Sequence, residues 1–112
     1  MADGWKALLL NETVEKEYRA LPKSIRAKIS WIITLIEKYG LEEIREPYVK
    51  HLREKLWEIR GKSGRAIYIT VSDKKVVILR CFIKDSKETP QTEIELAVQR
   101  SKEIEENDDD SI

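Results

Sequence analysis

At Lys55 the spacing of apolar residues changes from a helical period to a period of two, which confines the chain to a helical first half followed by a small meander. Before the switch, Val14, Tyr18 and Leu21 share one helical face, and Ile25, Ile29, Ile32 and Ile36 recur at helical spacing with Lys23, Arg26, Lys28 and Lys38 outside. Asn11 suits the N-cap of the first helix, with Glu12 and Glu15 in its first turn. Pro22 breaks that helix and opens the second, and Gly40 closes it, giving an antiparallel helix pair. A short apolar run at 5–10 reads as a strand ahead of the pair. Beyond the switch, 56–60, 65–71 and 75–84 are rich in Ile, Val, Tyr and Phe, and the turn-forming segments 61–64 and 72–74 separate them. Residues 41–53 contain Pro47 and read as a loop with a short turn near 48–52. Thr89 caps a last helix with Pro90 at its first position and Ile94, Ala97, Val98 and Ser101 on its inner stripe. The expected architecture is α+β: an N-terminal strand, a two-helix hairpin, a three-stranded antiparallel meander and a C-terminal helix, with the helices on one face of the sheet.

At 112 residues this is one domain. Its formal charge of zero conceals an asymmetry, because Glu103, Glu105, Glu106, Asp108, Asp109 and Asp110 crowd the last ten positions. The expected division is therefore a folded domain over 1–102, with 21 basic and 15 acidic side chains, and an acidic, disordered tail over 103–112. Eleven Lys or Arg fall between Lys50 and Lys87 against four acids, and a polyanion is the natural partner of such a stretch. Cys81 is the single cysteine and lies in an apolar run, so the expectation is a core thiol in a reducing, cytoplasmic protein. The longest uncharged stretch, 29–36, spans no bilayer, and no membrane partner is expected.

Strand alternation places Glu58 and Arg60 on one face, and Arg80, Phe82 and Lys84 together on one face of their strand. Antiparallel neighbours then gather Arg60, Arg65, Arg80 and Lys84 into one concave basic cluster. Guanidinium forks grip phosphate oxygens, and a Lys crowded by like charges has its pKa lowered towards neutrality, so either Lys84 or Lys87 could serve as general base. Composition alone favours the blander alternative, a face kept soluble by strand Lys and Arg. Trp5, Trp31 and Trp57 read as core, His51 as a lone surface imidazole, and Tyr68, opposite in face to Arg65, as either packed or lining the site. No Cys/His ligand cluster, phosphate-cradling glycine loop or nucleophile–base–acid set is present, so no metal or cofactor is expected.

The ordered segments Leu56-Trp57-Glu58-Ile59-Arg60, Arg65-Ala66-Ile67-Tyr68, Leu79-Arg80-Cys81-Phe82-Ile83-Lys84 and Thr89-Pro90, followed by Glu93-Ile94-Glu95-Leu96-Ala97, resemble the RelE/HigB toxin superfamily, most closely its phage-derived HigB-like branch. The resemblance implies the toxin of a type II toxin–antitoxin pair, an mRNA endoribonuclease acting on the ribosome without metal and silenced by a helix-turn-helix antitoxin. By position it implies catalytic roles for Arg60, Arg65, Lys84 and Lys87, and RNA contacts from Lys55, Lys62, Arg80 and Tyr68. The implied reaction is attack of a ribose 2′-hydroxyl on its own 3′-phosphate, with a Lys taking the proton and arginines steadying the transition state.

Two departures fall at the implied site. Asp85 stands where the branch has a second lysine, and Glu88 where a lysine precedes Thr-Pro. Each exchanges a cation for an anion and weakens attraction for RNA. They keep open a RelE-fold binding module without nuclease activity, either a gyrase-poisoning protein or an inactivated toxin relative.

Overall fold

The computed structural model describes residues 4–85 and 87–111, with side chains to Ile104. Strand β1 (Lys6–Leu9) leads into α1 (Glu12–Arg19) and α2 (Lys23–Tyr39). The four strands β2 (Val49–Arg53), β3 (Leu56–Gly61), β4 (Gly64–Val71) and β5 (Lys75–Ile83) follow, and then α3 (Gln91–Ser111). The caps of the first two helices act as expected: the Asn11 side chain accepts from the Val14 N–H at 3.0 Å, Pro22 precedes α2, and Gly40 ends it at φ +94°, a conformation that favours glycine; α3 starts at Gln91, one residue later than expected, and the Thr89 hydroxyl is engaged with Glu58.

The antiparallel part has four strands, not three. Segment 49–53, expected as loop, is β2, paired with β3 through Val49↔Ile59, Lys50↔Glu58 and His51↔Trp57. Its own alternation is interrupted, and its register comes from the β3 partner, information that local pattern does not carry. The sheet order is β1-β5-β4-β3-β2, with β1 parallel to β5.

The helices cover both faces rather than one. On one face Val14, Ile29, Ile32 and Ile36 pack on Val49, Ile59, Ala66, Tyr68, Ile78 and Cys81; on the other Ile94 and Ala97 of α3 pack on Ile67, Leu79 and Phe82. A bulge between Ile67 and Tyr68 in the β4–β5 ladder lets both Leu79 and Arg80 serve the α3 side. Cys81 is buried as expected, and burial pushes its thiol up to about 12.

Because β1 pairs only with the first half of β5, the backbone edge beyond Ile78 needs other partners. Glu17 Oε1 accepts from the Cys81 N–H at 3.3 Å, and Arg100 Nη1 donates to the Leu79 carbonyl at 2.8 Å. Glu17 also bonds Arg100 and Arg80, so one carboxylate joins α1, β5 and α3.

Two of the three tryptophans differ from expectation. Trp31 is 45% exposed on α2, edge-on to Tyr48 and under the Lys28 ammonium; Trp57 is 39% exposed and packs at a tilt against His51. Apolar spacing marks a helix face as inward only when another element covers it, and nothing among the described residues covers these two rings fully. No helix of the described residues is long and apolar enough to cross a membrane. The expected tail, 103–112, falls largely outside the described side chains.

Candidate functional site

The site lies where β3 turns into β4. Gly61 and Gly64 bracket this turn, and a Cβ on either would collide with Ile29 or Ile25 of α2, so small residues there let the helix press the hairpin end into place. Lys62 takes φ +55° in the turn, and the Ser63 carbonyl accepts from the Lys84 N–H at 2.7 Å. That bond brings the end of β5, and Lys84 with it, beside the hairpin.

Arg60 and Arg65 are directly opposed across β3 and β4, on the face that also carries Glu58 and Phe82. Glu58 is 1% exposed. Its Oε1 accepts from the Thr89 hydroxyl at 2.6 Å, while Oε2 lies 3.8 Å from Arg60 Nε and 3.7 Å from Arg65 Nε, beyond hydrogen-bond reach of either. Lys50 of β2 is opposite Glu58. A buried carboxylate thus stands at the centre of a basic cluster formed by Arg60, Arg65, Lys84 and Lys50.

The four cations are not equivalent. Arg65 is 7% exposed, and its Nη1 donates to the Lys62 and Gly64 carbonyls at 2.7 and 2.8 Å. Its Nε is buried without a partner. Burial lowers the Arg65 pKa, Glu58 opposes that shift and Arg60 adds to it. Arg65 is therefore a fixed positive charge at the back of the cluster, whereas Arg60 and Lys84 reach solvent. Burial, then the Arg65 charge, lowers the Lys84 pKa; Glu58 works against this, and Arg60 and Lys50 reinforce it.

The structure brings Arg60, Arg65 and Lys84 together, with Lys62 in the adjoining turn. Arg80 is a correction: its Nε donates to Glu93 at 2.6 Å and its Nη1 contacts Glu17 at 2.9 Å, so its fork is engaged in joining helices. Lys55 is another, because it precedes β3 whereas Arg60 nearly ends it, about 16 Å away along an extended strand. Lys55 lines a cleft with Ile69, Val71 and Ile104 at the other end of the sheet. Tyr68 is 1% exposed on the α2 face, where burial raises its pKa, and it cannot join a cluster on the α3 face. It borders instead a separate groove of about 750 Å³ with Trp5, Val49 and Trp57. Lys87 is exposed in the link before α3.

Two residues of the cluster escaped the sequence reading. Lys50 falls in the segment expected as loop, and strand alternation puts Glu58 on the face of Arg60 without giving it a role. The signal for Glu58 was present, since an acid alternating with Arg60 inside an apolar strand needs buried partners.

Residues 16–102 match the family described as phage-derived protein Gp49-like. The fold is similar to that of archaeal RelE in the RelE–RelB complex from Pyrococcus horikoshii OT3, at 22% identity and TM-score 0.59 over 76% of this chain and 98% of that one. It is similar to a chain of the toxin–antitoxin complex RelBE2 from Mycobacterium tuberculosis, at 20% identity and TM-score 0.55 over 72% and 99%. A double-arginine mutant of the E. coli toxin RelE in the free state gives 20% identity and TM-score 0.63 over 87% and 97%. No curated protein matches the chain.

Proposed function

The chain belongs to the phage-derived Gp49-like family and carries the fold of RelE toxins, and from that premise we propose that it is the toxin of a toxin–antitoxin pair that cleaves mRNA on the ribosome. The observation that carries this reading is the convergence of Arg60, Lys84 and Lys50 around Glu58, with Arg65 fixed behind them. Such a cluster of cations suits a phosphodiester flanked by further phosphates.

In the proposed reaction the ribose 2′-oxygen forms a bond to phosphorus as the bond to the 5′-oxygen breaks, leaving a 2′,3′-cyclic phosphate and a 5′-hydroxyl. Lys84, in its neutral form, takes the 2′-hydroxyl proton; the departing 5′-oxygen acquires a proton from water. The lowered Lys84 pKa enlarges the neutral fraction at working pH. Arg60 faces the phosphate and opposes the charge that builds on its oxygens, with the Arg65 charge adding from behind. The partners are mRNA in the ribosome and a cognate antitoxin of the helix-turn-helix kind, and the site of action is the cytoplasm.

Inducible expression with mapping of transcript ends tests this. Growth arrest with cleavage in frame with codons is expected, relieved by Arg60→Ala or Lys84→Ala; arrest that persists in both variants refutes it. Asp85, exposed beside Lys84, favours a second reading in which the same fold binds without cutting. Intact mRNA with harmless expression and tight antitoxin binding selects an inactivated toxin, and intact mRNA with a DNA-damage response selects a gyrase poison.

A further inference from the structure

Glu58 is an odd residue to find inside a site that has to attract phosphate. A carboxylate beside a phosphodiester repels it, so a site shaped for affinity alone would carry a neutral residue there. Glu58 is nevertheless almost completely enclosed, and its two oxygens face different elements. One accepts the Thr89 hydroxyl, at the junction between β5 and α3, at 2.6 Å; the other stands 3.8 Å from Arg60 Nε and 3.7 Å from Arg65 Nε. The buried, unpartnered Arg65 Nε borders the same space. One carboxylate oxygen thus stands within ion-pair range of both guanidiniums yet beyond hydrogen-bond distance of either Nε.

We propose that Glu58, held by Thr89, is a positioning residue: it keeps Arg60 aligned in front of the fixed Arg65 charge so that a phosphate oxygen is received by Arg60 with Arg65 behind it, and it links that alignment to the seating of α3. The inference rests on the reading of the cluster as a phosphodiester site. Its physical basis is that a buried guanidinium needs a counter-charge to stay charged and in place. Among the described residues Glu58 is the acid whose charge acts on both Arg65 and Lys84, and it opposes the loss of charge on both. The carboxylate touches no substrate. It weakens binding of the ground state and fixes the cations where charge develops later, a division that separates affinity from rate.

That division gives the test. Glu58→Gln keeps the volume and an oxygen for the Thr89 hydroxyl but removes the charge. Binding of a 2′-O-methyl oligoribonucleotide to the purified full chain should tighten about threefold, while single-turnover cleavage of mRNA on programmed ribosomes slows by roughly tenfold or more. Thr89→Val should slow cleavage without tightening binding, and Thr89→Ser should restore it. A carboxylate that merely repels RNA predicts faster cleavage in Glu58→Gln, and a merely structural one predicts that binding, cleavage and Tm fall together; either result overturns the proposal. The Nε–H resonances of Arg60 and Arg65 give a readout independent of activity: the buried Arg65 resonance should exchange slowly in the wild type, and in Glu58→Gln both should shift and that of Arg65 exchange faster at similar Tm. If the wild type cleaves nothing, the nuclease reading fails, while these resonances still decide whether Glu58 positions the arginines; resonances unchanged by Glu58→Gln refute it.

Discussion

Replacing Glu17 by Ala should cost this fold more than any other single change on its surface helices. The Glu17 side chain is 15% exposed and binds Arg80 at 2.9 Å and Arg100 at 2.8 Å while accepting from the Cys81 N–H. Its removal leaves Arg100 with the Leu79 carbonyl, Arg80 with Glu93 alone, and an amide on the β5 edge without its acceptor. Breaking a buried pair by deleting one partner costs about 3–5 kcal/mol, and the residual exposure of these groups puts this case at the low end, about 3 kcal/mol. At about 4 °C per kcal/mol for a chain of this size, Tm should fall by about 12 °C. Glu17→Gln keeps an acceptor for the amide and should cost about half as much. The pH dependence gives a second check. Burial alone would raise the Glu17 pKa, but hydrogen bonds from Arg100 and Cys81 and the charge of Arg80 lower it overall. A depressed carboxyl contributes stability that is complete above its unfolded pKa and is lost as pH falls through the folded value. The gap between wild type and Glu17→Gln should therefore hold from neutrality down to the unfolded carboxyl pKa of about 4.3 and narrow only below it. Urea titrations from pH 7 down to about 3 measure it, and a Glu17→Gln protein as stable as wild type at pH 7, or a gap constant with pH, refutes the account.

The remaining expectations concern the cluster and its scaffold. Gly64→Ala puts a methyl group into Ile25 of α2 and should cost about 2–3 kcal/mol in urea unfolding, and it should also impair cleavage because the hairpin end shifts. Arg80→Leu should lower Tm yet leave affinity for single-stranded RNA within about twofold, since its fork already serves Glu17 and Glu93; a large loss of affinity would return Arg80 to the site. Because the Arg60 charge helps to lower the Lys84 pKa, cleavage should rise with pH to a plateau, and Arg60→Gln should move that rise to higher pH in addition to slowing it. An unmoved pH profile would argue against Lys84 as the base. Removing one phosphate contact, as in Lys50→Ala, should flatten the dependence of log affinity on log salt by about 0.7, measured by fluorescence anisotropy.

What could be read from the sequence was what local chemistry determines. The helix pair, its caps at Asn11 and Gly40, the break at Pro22 and the two hairpin turns follow from residue type and spacing, and all are present. Strand β2 was missed because its pairing is supplied by β3, and the placement of α3 on the second face was missed because periodicity reports that a face is buried but not which layer covers it. The same limit explains the site. Alternation correctly grouped Arg60 with Glu58 and set Tyr68 apart from Arg65. It could not tell that Arg80, on the same face as Arg65, would meet Glu93 and Glu17, since those carboxylates arrive from helices 13 and 63 residues away in the chain.

Net charge is for the same reason a poor guide to where this protein meets its partner. Of the cations within the basic stretch, Arg80 is engaged by two carboxylates and Arg65 is walled in by the carbonyls of its own turn. What is left facing solvent around Glu58 is Arg60, Lys84 and Lys50, brought together by three strand ends rather than by sequence proximity. A field built this way is local: surface charges more than about 10 Å away are screened at moderate salt. The Lys55 end of the sheet should therefore contribute to general attraction for RNA, and the cluster around Glu58 alone to the orientation of one phosphate. Substituting Lys55 should weaken binding equally for all sequences and leave the cleavage positions unchanged, whereas substituting Arg60 should slow cleavage strongly while much of the binding survives. If Lys55→Ala instead redistributes the mapped cleavage ends, the two ends of the sheet act as one site and this division of labour is wrong.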